Sequence, residues 1–385
     1  MALEQNNFRA LGIRASYLAA CALHGVIPQD DGENLDALLR FCRFHSITAV
    51  VAMALESIPA LGDQLKPWKQ EKDLAIRKNI LLNAEREQVL KALEDINCWY
   101  MPLKGSLLQF DYPRFGMRQM SDNDILFDES RTEAVHRLML DRGYEAVTYR
   151  TGNHDEYVKK PVYNMELHRS LFQNGLDPVL AEYYRDIFTK MRRDGGNQFG
   201  YHLSREDFYV YLVAHAYKHW RYSGVGIRSL MDVYVYVSKY REELDWDYIR
   251  CELDKIQAES FEEECRSLSQ RLFAQPLRNP ELSEKEWKAL DTYFSSGTYG
   301  TEEKAVENKL DVIRNNEGSA ETNGKLRYLI NRLFPPVSYL AESFPGLERQ
   351  KWKVPFIYLY RMLKAIFVYP ARILRELKLL KKSGR

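Results

Sequence analysis

The 385-residue sequence predicts an α+β protein in which a small mixed sheet is flanked by N- and C-terminal helical regions. Three observations carry that expectation. Apolar residues recur at three- and four-residue spacings before residue 96 and again after residue 170, as in amphipathic helices. Between them, short apolar runs alternate with a helical pattern, which indicates strands layered against helices. Hydrophobic residues make up 45% and charged residues 28% of the chain, an ordinary balance for a polypeptide able to bury a large core. The expected organisation is a helical region at 1–95, a sheet-bearing core at 96–170, a second helical region at 171–348 with a polar loop at 295–324, and a basic amphipathic tail at 349–385.

Each element follows in order. Leu35–Leu55 sets Leu38, Leu39, Phe41, Cys42, Ile47, Val50 and Val51 on helical spacings, with Asn34 as the candidate cap and Pro59 and Gly62 ending the stretch. Lys72–Leu93 repeats the pattern and predicts an amphipathic helix that delivers the chain into a strand at Cys98–Leu103. His24 and His45 lie among apolar residues and read as structural. Further strands are expected at Asn123–Phe127, Tyr144–Tyr149, Glu156–Lys160 and Val162–His168, with a helix over Arg131–Arg142 stopped by Gly143. Ser204–Tyr222 reads as a helix. Ser295–Gly324, polar and containing Gly297, Gly300, Gly318 and Gly324, reads as a mobile loop with one short helix over Glu302–Arg314.

The stretch Met101–Asp128 carries the chemistry. Asp122 and Asp124 are two residues apart at the start of an apolar strand, so their carboxylates share one face. Like charges so placed call for a proton or a cation, and Mg2+ is commonly held by one or two carboxylates together with substrate phosphates. Lys104-Gly105-Ser106 forms a strand-to-helix turn, where a glycine lets the backbone approach a phosphate. Ser106 offers a hydroxyl, Lys104 a point charge and Arg118 a fork for the same anion.

Leu103-Lys104-Gly105 followed by Arg118-x-Met120-x-Asp122-x-Asp124-Ile125-Leu126 resembles the uncharacterised nucleotidyltransferase family of the DNA polymerase β-like superfamily. The resemblance implies a polymerase β-like core, a third carboxylate on a later strand, metal held by all three acids, and a triphosphate held at Gly105 and Ser106. Glu166, in the segment Met165-Glu166-Leu167-His168, is the candidate third acid, with Asp155 and Glu156 as competitors. The implied reaction is transfer of a nucleoside monophosphate from an NTP to an acceptor hydroxyl with Mg2+ or Mn2+, releasing pyrophosphate. A toxin-like enzyme acting on tRNA or protein, and a non-catalytic nucleotide-binding protein, are the alternatives.

His215 and His219, four apart, share a helix face. Ala216 stands where a zinc-protease motif carries glutamate, so a cleft-lining role is expected for this pair, as for His168. Arg228 and Asp232 are also four apart and read either as an exposed helix salt bridge or as cleft-lining residues. Net charge is +1, which excludes the global basic field of a nucleic-acid binder. That balance hides an asymmetry. Residues 349–385 hold eleven Lys or Arg against Glu376 alone, and the first 348 residues are left with 44 basic and 53 acidic side chains. Such a tail suits docking on the acidic body or on an anionic membrane surface. Five cysteines, with no Cys-x-x-Cys, predict reduced and mostly buried thiols. The start of the sequence shows no signal-peptide pattern, and no run reaches the length of a spanning helix. The expected location is cytoplasmic, with peripheral contact at the inner membrane surface through the tail.

Overall fold

The computed structural model describes residues 2–382 apart from 31, 175, 299, 318–320, 345, 348 and 369. Gly318 of the expected loop, Tyr369 and the last three residues of the tail lie outside the described residues. Helices α1 (Ala2–His24), α2 (Leu35–Phe44), α3 (Thr48–Leu55) and α4 (Lys66–Asp95) come first. They are followed by β1 (Tyr100–Pro102), the one-turn α5 (Gly105–Leu108), β2 (Asn123–Phe127), α6 (Thr132–Asp141), β3 (Glu145–Thr148), β4 (His154–Lys159) and β5 (Tyr163–His168). Then come α7 (Pro178–Tyr183), a ribbon of β6 (Met191–Arg193) and β7 (Tyr201–Leu203), α8 (Arg205–Tyr222), α9 (Ile227–Tyr240), α10 (Trp246–Lys255), α11 (Glu259–Phe273) and α12 (Glu284–Ser296). The chain closes with α13 (Glu302–Glu317), α14 (Glu321–Leu333), α15 (Val337–Ser343), α16 (Val354–Val368) and α17 (Pro370–Lys382).

The fold is α+β, as the sequence predicts. The main sheet has the order β1-β2-β5-β4-β3, with β2 and β5 parallel and the other neighbours antiparallel. Strand alternation sorts its side chains. Ile125, Phe127, Met165, Leu167 and Tyr157 point into a core shared with Val89 and Leu93 of α4 and Val135 and Met139 of α6. The opposite face carries Asp124, Glu166 and His168, and Leu126 on that side joins the larger core built from the flanking helices.

That larger core joins the two ends of the helical pattern. Residues of α1, α2 and α3 pack with residues of α8, α9, α11 and α12 in one cluster. Polar ties seal the junction. Arg9 forks onto Asp291 at 2.7 Å, and His24 Nε2 lies 2.8 Å from the Phe273 carbonyl. His45 is fully buried, with Nε2 3.0 Å from the Phe294 carbonyl and Nδ1 without a partner. Burial pushes its pKa down to about 4, opposed by the bond to Phe294. The folded value lies below the ordinary 6.5, so the unfolded chain takes up the proton first as pH falls. Stability is therefore lost on acidification from pH 6.5 towards 4, by about 3 kcal/mol in all. Urea midpoints measured across that range should show this slope in the wild type and a flatter one in His45→Phe.

The structure redraws three local expectations. Leu35–Leu55 is two helices, because Ser46 takes φ 51° and the Phe44 carbonyl accepts from Thr298 N–H instead of continuing the helix. Asn34 stands at the cap position of α2 with φ 51°, and its side chain makes no capping bond. The polar stretch 295–324 is largely helical. Its apolar residues Val306, Leu310 and Ile313 fall on one stripe, which packs with Tyr328 of α14 and Leu379 and Leu380 of α17. The tail thus docks on the body along α17, where Arg332 donates to Glu376 at 3.1 Å. Among the described residues, no helix is long and apolar enough to cross a membrane. Cys21, Cys42, Cys98 and Cys265 are buried free thiols, and Cys251 is exposed.

Candidate active site

The parallel register of β2 and β5 sets Asp124 directly beside Glu166. Asp122 enters the same face two residues earlier. On the other side of β5, β4 places Glu156 beside Glu166 and His154 beside His168. Asp155 points the other way: it is buried, pairs with Arg169 and accepts the Arg150 N–H. Of the two competitors for third acid, only Glu156 therefore shares the face of Glu166.

Asp124 is the electrostatic centre. Lys104 Nζ lies 2.6 Å and His168 Nε2 2.8 Å from its Oδ1. Both use the same oxygen, and no hydrogen bond from the described residues reaches Oδ2. Burial opposes ionisation of Asp124, yet Lys104 and His168 outweigh it and hold the carboxyl well below its usual range. The same pairing raises Lys104 against the burial that opposes its charge. Asp122 shifts the other way, raised by burial and then by the charges of Asp124 and Glu166. Asp122 thus feels the charges of Asp124 and Glu166, and carboxylates so gathered are the chemistry a hard divalent cation takes. A second donor set overlaps it. Ligand atoms of His154, Glu166 and His168 lie within 4.8 Å of one another, and imidazole nitrogens suit Zn2+ better than Mg2+.

The Lys104-Gly105-Ser106 turn abuts this centre because Leu103 N–H bonds to the Asp124 carbonyl at 3.0 Å. Lys104 is held at φ 48°, ψ −124°, a conformation that costs a residue with a Cβ about 1–3 kcal/mol. Ser106 is buried, and both its N–H and its hydroxyl donate to the Leu103 carbonyl. The N–H groups of Leu107 and Leu108 bond to the Lys104 carbonyl. In this conformation the Ser106 N–H and hydroxyl and the Leu107 and Leu108 N–H groups are therefore satisfied within the turn.

Arg118 is not directed outward. Its Nε and Nη2 fork onto Asp232 at 2.9 and 3.0 Å, and Tyr112 donates to the same carboxylate at 2.6 Å. Asp232 thus pairs across the fold with Arg118, where its spacing from Arg228 suggests an exposed helix pair. Arg228 Nη1 contacts the Gln119 carbonyl at 3.4 Å, so both α9 residues hold the loop before β2. Helix α4 secures the loop from the other side: Asn79 donates to the Arg118 carbonyl and accepts from Met120 N–H, and Asn123 donates to the Leu82 carbonyl. Gly105 is required by this packing. A Cβ there would meet Arg118 Nη1 at 2.1 Å and Met120 Sδ at 3.0 Å. Gly105→Ala should therefore lower stability by about 1–3 kcal/mol through overpacking. A thermal midpoint equal to wild type would show that the guanidinium is free to give way.

Helix α8 forms the opposite wall. Ser204 caps it by accepting from Asp207 N–H. His215 and His219 come together, with Nε2 atoms 3.3 Å apart. Burial and then Lys104 push His215 well below its ordinary range, and burial and Lys218 bring His219 to about 3. Lys218 is lowered by burial and then by Lys104, while Asp124, Asp177 and Glu166 oppose the shift. Tyr211 is raised by burial, and it too feels Lys104, Asp124 and Glu166. Tyr211, His215 and Lys218 fall at helical spacing on one face, a signal that sequence reasoning confined to histidines misses. His154 also escapes that reasoning, because its role depends on its register with His168.

No curated protein matches the chain. Among solved structures, the chain is similar to an antigenic nucleotidyltransferase-like protein from Paracoccidioides brasiliensis, at 13% identity over 51% of this chain and 93% of that chain, with a TM-score of 0.33. The family model described as uncharacterised nucleotidyltransferase matches residues 31–274, which span α2 to α11 and hold every residue of the cluster. With more than half of its length so matched, the chain belongs to the uncharacterised nucleotidyltransferase family.

Proposed function

We propose that this protein transfers a nucleoside monophosphate from an NTP to an acceptor hydroxyl and releases pyrophosphate. The observation that carries the reading is the register that puts Asp124 beside Glu166, with Asp122 next to the start of β2 and within reach of both charges. Family membership supports nucleotidyl transfer in general. Asp122, Asp124 and Glu166 would hold Mg2+ or Mn2+, which when bound would supply charge stabilisation at the α-phosphate. His168 orients Asp124 through the 2.8 Å bond. Lys104, now 2.6 Å from Asp124, is the cation placed to meet the triphosphate. Rotation about one bond releases the Ser106 hydroxyl from the Leu103 carbonyl to do the same. Arg118, committed to Asp232, acts by positioning the turn. One of the three carboxylates takes the acceptor proton. Lys218, His215 and His219 face the acids from α8 and line the acceptor side.

A second reading draws on the Lys104–Asp124 pair, which already neutralises the central acid: a nucleotide-binding protein without chemistry. The test is label transfer from each α-32P-NTP with Mg2+ or Mn2+, using cell extract separated into RNA, protein and small-molecule fractions. Label entering one fraction establishes transfer and the acceptor class. Label in RNA or protein, joined to growth arrest on expression, would indicate a toxin-like enzyme. Metal-dependent NTP binding without transfer into any fraction favours the binding protein.

A further inference from the structure

A second concave site lies beyond the C-terminal end of α8. It is a cavity of about 640 Å³, within the range of small-molecule sites. Its charged lining is entirely cationic among the described residues: Arg221, Lys304, Lys309, Arg332 and Arg361. Arg221, Lys304 and Arg332 pair with Asp177, Glu307 and Glu376, none of which lines the cavity. Arg361 lies over the Tyr339 ring, 5.8 Å from its centroid. Trp220, Tyr222, Tyr328 and Tyr339 supply aromatic surface between the cations. The walls are held in place: Asn308 donates to the Trp220 and Arg221 carbonyls at 2.9 and 3.1 Å, fixing α13 to the end of α8.

We propose that this cavity binds a phosphate-bearing amphiphile, with the phosphate among the cations and an apolar body against the aromatic wall. Guanidinium forks match phosphate oxygens in pairs. Trp and Tyr faces take apolar matter while their polar edges stay hydrated. The same chemistry can come from a lipid headgroup or from a soluble phosphate ester. The surroundings favour the lipid. The helix that supplies Arg361 leaves Phe356, Leu359, Leu363, Ile366 and Phe367 between 45% and 77% exposed. Those positions fall three, four and seven residues apart along α16, on an apolar face turned away from Arg361 within the segment rich in Lys and Arg, the pattern of a helix that rests on a membrane surface.

The experiment uses the full chain and three soluble probes followed by calorimetry: short-chain phosphatidic acid as a monomer, the corresponding diacylglycerol, and glycerol 3-phosphate. Wild type should bind the phosphatidic acid, and diacylglycerol should not bind. Lys309→Glu with Arg361→Glu should weaken binding by at least about a hundredfold, the loss of two charge-assisted contacts. The milder pair Lys309→Gln with Arg361→Gln should show a smaller loss in the same direction, which separates a binding defect from misfolding. Absence of binding, equal binding of diacylglycerol, or unchanged affinity in both variants overturns the proposal. Sedimentation with phosphatidylcholine vesicles, with and without phosphatidic acid, distinguishes the sources. Phosphatidic acid-dependent capture that both variants lose assigns a lipid headgroup. Glycerol 3-phosphate bound as tightly as the lipid, without vesicle capture, assigns a soluble ester and overturns the amphiphile.

Discussion

Asp124→Asn should lower nucleotidyl transfer by about a thousandfold, which corresponds to about 4 kcal/mol of transition-state stabilisation, while the protein stays folded. The activity loss follows from the position of Asp124, which is beside Glu166 and bonded to both Lys104 and His168. Some stability is lost as well, as the balance of two opposed terms. Lys104 loses its closest counter-charge, and Asp122 is relieved of a neighbouring negative charge that helps to raise its pKa. Transfer of α-label and thermal melting on the same preparation check both halves. Transfer within tenfold of wild type would remove Asp124 from the metal site.

Asp232→Ala should be the most destabilising of these substitutions. It strands the Arg118 guanidinium and the Tyr112 hydroxyl in the interior, where the three groups are between 5% and 8% exposed. Removing one partner of a buried ion pair typically costs about 3–5 kcal/mol, because the remaining charge is left uncompensated. The damage reaches the active site through Gly105, which packs on that guanidinium, so transfer should fall as well. Asp232→Leu combined with Arg118→Met removes both charges and should recover much of the stability. Denaturant midpoints of the two singles and the double measure the coupling. Strict additivity would show that the pair does not act as a unit.

These two expectations differ in how far the sequence announces them. The Asp122-x-Asp124 spacing before an apolar strand places both acids on one face by strand geometry alone. Glu166 alternates with Met165 and Leu167, and the sheet face it shares with Asp124 agrees with that alternation. The glycine in the Lys104-Gly105-Ser106 turn is equally legible, but its reason is not. Both donors of Ser106 are satisfied inside the turn, and the close neighbour that meets a Cβ at Gly105 is Arg118. The 295–324 stretch misleads because glycine and polarity dominate its composition, while its sparse apolar residues still make a stripe that α14 and α17 cover.

Local spacing by itself determined the α+β class, the strands that carry the acids, the long α4 and α8 helices and the shared face of Asp122 and Asp124. These depend on the backbone periods of 2 and 3.6 residues, which a linear pattern records. Only the tertiary structure decided that Arg118 belongs to Asp232, that Lys104 and His168 share one oxygen of Asp124, that His154 adjoins His168, and that Lys218 comes within the electrostatic reach of Lys104 and Asp124. Electrostatic and hydrogen-bond energies depend on distance through space. Residues far apart in the chain meet only once the strand register and helix packing are set.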